Sequence, residues 1–502
     1  MSAGRSTAIR NAGVMLLAQL ATWALTLLLT IVMPRFLGPE GYGEFAIASA
    51  AWSIAAIFML CGMDTMMLNA VSRDRGATRA LMGTVLWWRV LAYPVAAVAV
   101  TAYLWLSGYS GRTQIVVHLL GLASLVWMVV GLLQAVLQGL EQMQYIALGT
   151  IAGKLANTAL GITVLYLGFG IYGVVVVAIL ASCISMLIEM RFLAGLGALH
   201  LRPERSRVLP ALRASAPYML SQIVVTTYLQ INTLVIATLL NQSEVGWYGV
   251  ATQVFGTLLF LPVAVTDALF PVLSRLHAQD PERLPRVLRR GLEVMLMAGV
   301  PAGLGLSAVA PALVELVFGS AFAPGGTVLQ VLALALSFMY CNILFARFLN
   351  AVDRPLVWTR VMAVALLVLV PVTALAVPFC QARLGNGAVG GAIGFLVAEL
   401  GMTLVGLTLL PRNTLDRALA WKTARIVLCG LATALVAWRL RSYFVAVPVL
   451  AGVATYLATM LALRVPSRED WELGRDLAQA TLRRLRRLSG STAPDEITGA
   501  GR

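Results

Sequence analysis

Charge is what this chain has least of. Asp, Glu, Lys and Arg make up only 12% of its 502 residues, about half the share of a soluble domain. That excludes an ordinary water-soluble enzyme. A disordered chain is excluded too, because 60% of the residues are apolar and disorder needs the opposite balance. Histidine is nearly missing: His118, His200 and His277 are far apart, and none has the spacing of a metal motif such as HExxH. Cys61, Cys183, Cys341, Cys380 and Cys429 are scattered, with no CxxC and no even framework. Neither a metal site nor a disulfide scaffold is indicated, and small buried hydrophobes are the better reading. No hydrolytic or group-transfer constellation is present. The expectation is therefore a protein that is not an enzyme and that carries no cofactor.

What the chain does have is apolar sequence, with a mean hydropathy of +0.86. A bilayer span takes about 20 mostly apolar residues. Fourteen such segments are read: 11–33, 43–66, 80–106, 115–139, 145–167, 171–193, 214–240, 247–273, 291–318, 326–350, 357–378, 388–410, 422–440 and 443–463. The first is longer than the apolar region of a signal peptide and is read as a retained helix. The fold class predicted is an all-α polytopic membrane protein of about fourteen transmembrane helices.

The net charge of +15 would suit a nucleic-acid binder, but the apolar content argues against one. Basic residues mark the loops of one membrane face instead. With the N-terminus placed inside, 30 of the 37 basic residues lie on the cytoplasmic side. Five lie opposite (Arg35, Arg112, Arg383, Arg439, Arg441), and Arg89 and Lys154 lie within spans. This bias predicts both termini in the cytoplasm.

The chain also repeats itself. Arg10, Gln19, Gly43, Ala48 and Asp64 return at +203 as Arg213, Gln222, Gly246, Ala251 and Asp267, with Phe45 answered by Tyr248. Gly168-x-Gly170-x-x-Gly173 returns as Gly385-x-Gly387-x-x-Gly390. That pattern lacks the preceding strand and following acid of a dinucleotide fingerprint and is read as a tight turn. A six-span unit gives two halves of the same orientation, related by an axis along the membrane normal. The predicted organisation is a six-helix lobe over 1–200, a second over 201–411, two additional helices over 412–463 and a basic tail over 464–502. Within the tail, 467–488 is read as a basic helix suited to anionic lipid or to solvent.

Charges within spans carry the functional signal, because an intramembrane cation is costly without a partner or a wet cavity. Arg89 and Lys154 each lie about nine residues from a cytoplasmic end, so roughly 13 Å deep at 1.5 Å rise per residue. The structural alternative is that each snorkels or pairs with an acid such as Asp64. Glu399 is mid-span in the second half, and Asp64 and Asp267 end equivalent spans. These three acids are candidates for coupling or gating. Gln19, Thr22, Thr26 and Thr30 form one helical stripe, and the seventh span carries Gln222, Gln230 and Asn232 among other polar residues. Such stripes either join helices or line a cavity.

Pro34-Arg35-Phe36-Leu37-Gly38-Pro39-Glu40-Gly41-Tyr42-Gly43, followed by an apolar span ending near Asp64, resembles bacterial polysaccharide-export flippases of the Wzx type. The echo Glu244-Val245-Gly246-Trp247-Tyr248 and the run Leu349–Pro355 fit the same family. The wider superfamily includes multidrug extruders and the lipid II flippase. The resemblance implies two pseudo-symmetric lobes around a central cavity and transport of a polyprenyl-pyrophosphate-linked oligosaccharide to the outer leaflet. It also implies a lipid-tail groove at the last two helices, and a polysaccharide polymerase and glycosyltransferases as partners. Span one carries no acid, unlike many ion-coupled extruders, and lacks the arginines associated with the lipid II flippase. On this reading Arg89 and Lys154 meet the pyrophosphate, while Gln19, Gln222 and Asn232 face the sugar. The rivals are a cation-coupled multidrug extruder using Glu399 or Asp267, a lipid II flippase and a non-transporting scaffold.

Overall fold

The computed structural model describes residues 2–412 and 414–466; for residues 2–21, 23, 24 and 80 it describes the backbone alone. The side chain of Gln19 and the expected basic helix over 467–488 therefore lie outside the described residues. No strand occurs among the described residues. In a bilayer a spanning segment must satisfy its own backbone hydrogen bonds, which long apolar segments do as helices.

The first half comprises α1 (Ser2–Leu60), α2 (Met63–Arg73), α3 (Ala77–Leu106), α4 (Gly111–Gly139), α5 (Met143–Tyr166) and α6 (Gly170–Gly195). The second comprises α7 (Val208–Leu239), α8 (Gln242–Leu258), α9 (Phe260–Gln279), α10 (Leu284–Phe318), α11 (Ala323–Ala351), α12 (Pro355–Leu384) and α13 (Ala388–Thr408). α14 (Arg417–Arg439) and α15 (Ala446–Ala462) follow. Among the described residues twelve helical stretches are long and apolar enough to cross a membrane, and Ala446–Ala462 is a shorter apolar helix.

Each of the fourteen expected segments falls on helical backbone, but the junctions differ from expectation. α1 holds the first segment and most of the second. It turns at Gly38, where φ is 69° and ψ 176°, a left-handed conformation that suits glycine. The second segment ends in a break at Cys61–Gly62 that separates α2, and the eighth breaks into α8 and α9. Matching spans of the two halves are thus both interrupted, the second segment near its end and the eighth near its middle. The turns before α5 and α12 match as well: Glu141 and Asp353 both take positive φ, 60° and 59°.

Among the described residues the apolar core falls into four clusters. One cluster, including Leu292, Leu332, Phe345 and Leu369, fills the second half and crosses into the first through Met33, Tyr42, Ile47, Leu165 and Val174. Two others, around Trp52 and Val117 and around Met67 and Leu133, fill the first. Val300, Ile426 and Cys429 pack α14 onto α10. Val95, Leu367 and Leu375 are more than 70% exposed, as side chains facing lipid are. Caps set several helix starts: Ser110 for α4, Asn241 for α8 and Asp416 for α14 accept from Thr113, Glu244 and Leu419 amides.

Candidate functional site

The halves meet at the end of the bundle that holds the Gly38 and Asn241 turns. Gly43 and Gly246, repeat mates, approach each other's helices reciprocally. A Cβ on Gly43 would lie 1.8 Å from the Gln242 carbonyl oxygen, and one on Gly246 would lie 2.1 Å from that of Pro39. Pro39 and Gln242 are themselves 203 residues apart, so the repeat axis passes through this contact. Side chains latch the seam. Thr113 Oγ1 donates to Glu44 Oε1 (3.1 Å) and accepts from Gln242 Nε2 (3.0 Å). Tyr109 Oη donates to the Ala237 carbonyl at 2.8 Å. Arg35 donates to the Val317 and Leu316 carbonyls at the C-terminal end of α10, where helix carbonyls lack internal partners and a cation is favoured. Glu44 is 2% exposed.

Below the seam a cavity of ≈ 640 Å³ opens between α1 and the α8–α9 break. Thr26, Thr30, Thr252, Gln253 and Thr257 supply its polar lining. Thr26 and Thr30 of the span-one stripe thus line a cavity, whereas Thr22 is buried outside it. A second cleft, ≈ 220 Å³, lies within the first half between α4, α5 and α6. Gln134, Thr150, Lys154, Asn157, Ser182 and Ser185 line it. Lys154 is half-buried and has no hydrogen-bond or ion-pair partner among the described residues.

Arg89 corrects an expectation. Its side chain is fully buried and ion-paired to Asp64, with a second donor on the Met128 carbonyl. It ties α3 to α2 and α4 and is closed to a ligand in this arrangement. Arg89 and Lys154 do lie at one level of α4, against Met128 and against Trp127–Gln134. Equal depth does not bring them together, because they touch different faces of that helix. The Asp64 side chain is 34% exposed, so removing Arg89 costs chiefly its charge-assisted hydrogen bond, about 1.5–3 kcal/mol. Arg89→Gln is therefore expected to lower the yield and the melting temperature of the purified protein, and a double change of Arg89 and Asp64 to apolar residues to restore much of both. A near-wild-type melting temperature for Arg89→Gln would refute the structural role.

Asn232 is also corrected. It is buried, donates to Tyr248 Oη (3.2 Å) and the Gly391 carbonyl (3.0 Å), and accepts from Thr373 Oγ1 (2.8 Å). It joins α7, α8, α12 and α13; both its N–H donors are engaged and it is buried, so it is not presented to a sugar. One turn away on α7, Tyr228 donates to Glu399 Oε1 (2.7 Å), while Asn342 donates to Glu399 Oε2 (2.8 Å). Glu399 is 1% exposed, so its carboxyl ties α7, α11 and α13 together. Asp267 pairs with Arg347 at 2.7 Å, both partly exposed. Gln222 is exposed and donates to Thr226 on its own helix at 2.9 Å.

Several functional candidates escaped the sequence reading: Glu44, Thr113 and Gln242 at the seam, and Gln134, Asn157 and Glu189 at the polar cleft. A signal for the cleft did exist. Thr150, Lys154 and Asn157, and Ser182, Ser185 and Glu189, each follow helical spacing and so share a face. Among the described residues no cluster of three or more His, Cys, Asp or Glu could hold a metal.

Comparison with known proteins agrees with this architecture. Residues 32–325 match the family described as polysaccharide biosynthesis protein. A 129-residue stretch is 25% identical to the probable low-salt glycan biosynthesis flippase Agl15 of Haloferax volcanii. That match spans 26% of this chain and 27% of the relative. The fold is similar to that of the lipid II flippase MurJ in an inward-closed conformation (TM-score 0.69, 15% identity, 89% of this chain and 99% of that one). It is also similar to an inward-facing MATE multidrug resistance transporter of the MOP superfamily (TM-score 0.65, 16% identity, 79% and 95%). The chain is thus a multi-pass membrane protein with the fold of these transporters, and it belongs to the polysaccharide biosynthesis protein family.

Proposed function

We propose that this protein flips a polyprenyl-pyrophosphate-linked oligosaccharide from the inner to the outer leaflet of the bacterial cytoplasmic membrane by alternating access. The observation that carries the reading is Lys154, a half-buried cation with no counter-charge among the described residues, set in a polar cleft. An anionic headgroup supplies the missing charge. The hydroxyl- and amide-lined cavity between α1 and α8 suits sugar, which is recognised through such groups. An apolar groove of ≈ 900 Å³ between α10, α11, α13 and α14 suits the prenyl tail.

The lobes 1–200 and 201–411 rock about the repeat axis, with the Gly43–Gly246 seam as the outer gate and both termini in the cytoplasm. The Asp64–Arg89 and Asp267–Arg347 pairs stand at equivalent spans and belong to gating rather than to cargo. Glycosyltransferases supply the cargo and a polymerase consumes it. Moving an anion outward down an inside-negative potential gains about 2.3 kcal/mol per charge per 100 mV, so an obligatory ion partner is not required.

A strain lacking the gene is expected to accumulate the lipid-linked oligosaccharide facing the cytoplasm and to lose its surface polymer, with unchanged sensitivity to cationic drugs. Wild-type polymer together with raised drug sensitivity would favour a multidrug extruder instead.

A further inference from the structure

The polar cleft of the first half has two unlike ends. α4 and α5 both pack on α6 and on α1, with little contact between themselves, and the cleft lies between them. At one end its polar groups are spent on the protein. Gln134 Nε2 donates to Thr150 Oγ1 at 3.3 Å and to Glu189 Oε1 at 2.8 Å, and Ser185 Oγ donates to the Gly149 carbonyl at 3.0 Å. Gly153 draws α5 onto α6 there: a Cβ on it would lie 1.9 Å from Ser185 Oγ.

At the other end the polar groups are free. Trp127, Lys154, Asn157 and Ser182 line it, and none has a hydrogen-bond or ion-pair partner among the described residues. The contacts of the tied end fix the register of these antiparallel helices. Trp127, two turns back from Gln134, stands level with Asn157, two turns on from Thr150. Ser182, one turn back from Ser185, stands level with the turn of α5 that follows Gly153 and carries Lys154 and Asn157. The four residues therefore share one layer.

Two of them are out of place as mere span residues. Trp127 is 61% exposed, yet it lies about 24 Å and 18 Å from the two ends of α4, whereas interfacial tryptophans stand near span ends. Ser53, Thr101, Ser124 and Thr163 return their hydroxyls to a carbonyl of their own helix; Ser182 has no such bond among the described residues. A diphosphate uses donors and positive charge but has no use for a flat apolar surface. A pyranose uses both kinds of group: its C–H face suits the indole ring, and its hydroxyl rim suits the indole N–H, an amide and a serine hydroxyl. At ≈ 220 Å³ the cleft is smaller than pockets for drug-sized ligands, so it takes one ring and not an oligosaccharide.

We propose that this layer is a sugar subsite, in which the pyranose bonded to the diphosphate lies on Trp127 and hydrogen-bonds to Asn157 and Ser182. The reading rests on Lys154 as the anchor of the diphosphate, since the covalent bond between the two puts this ring beside the anchor. The remaining sugars lie outside the cleft.

Calorimetry on the full-length protein in detergent tests this with farnesyl diphosphate and with farnesyl-diphosphoryl glucose, galactose and N-acetylglucosamine. At least one sugar-bearing probe is expected to bind the wild type about tenfold more tightly than farnesyl diphosphate. Trp127→Leu should lose most of that gain, with its melting temperature and its affinity for farnesyl diphosphate unchanged, because the indole is exposed. Trp127→Phe should keep part of it. Asn157→Ala should lose about threefold and serves as the reading should Trp127→Leu not fold. No gain from any of the sugars, or a gain undiminished in the folded variant, would overturn the subsite and leave the anchor intact; the indole then faces lipid. Farnesyl diphosphate binding unchanged in Lys154→Gln would overturn the anchor and this proposal with it.

Discussion

Gly43→Val is expected to abolish transport while leaving a folded protein in the membrane. The added side chain would have to occupy space 1.8 Å from the Gln242 carbonyl oxygen, and backbone offers no rotamer to move aside. Overpacking costs ~1–3 kcal/mol, here charged to one conformation only, since the seam is absent when that end opens. At ~1.4 kcal/mol per tenfold, the ratio of closed to open states falls by about 5- to 140-fold. Gly246→Val, the repeat mate, is expected to act alike against Pro39. Gly111→Ala, where a Cβ meets nothing within 4 Å, is the control. A Thr113→Cys reporter in the seam should react weakly with an impermeant maleimide in the wild-type background and readily with Gly43→Val. Full transport by Gly43→Val would mean that the seam does not gate.

Lys154→Gln should have the second large effect, of the opposite kind from Arg89→Gln. It removes the lone cation lining the polar cleft, so a diphosphate loses charge-assisted hydrogen bonds worth about 1.5–3 kcal/mol. Flipping is expected to fall by about ten- to a hundredfold. The melting temperature should hold or rise, because a half-buried cation without a partner contributes nothing to packing and costs desolvation. Lys154→Arg should keep part of the activity. The two cations thus separate experimentally: one substitution destabilises the protein, the other silences it.

The spans were legible because hydropathy and length suffice to find a helix that must satisfy its own backbone in lipid. The repeat was legible because Gly43 and Gly246 are mates in both sequence and space. The direction in which each side chain points was not. Depth can be estimated from residue count, but it carries no azimuth. α4 stands between them, so Arg89 found Asp64 and Lys154 found a cleft. Asn232 and Glu399 read as polar groups within spans, the usual mark of a pathway, yet packing turned both inward as ties between helices of the second half. Glu44 and Glu189 went unnoticed because each lies near a span end, where acids are unremarkable in sequence; burial alone makes them unusual. The breaks at Cys61–Gly62 and before Phe260 were hidden for a related reason. Hydropathy continues smoothly across both, and a change of helix direction leaves no trace in it.

The most direct test uses proteoliposomes with a fluorescent polyprenyl-diphosphate oligosaccharide in the inner leaflet and a quencher outside that cannot cross. Wild-type protein is expected to bring the label to the outer leaflet, and Lys154→Gln, equally folded and equally incorporated, to do so at least about tenfold more slowly. No movement by the wild type, or equal movement by both proteins, would contradict the account.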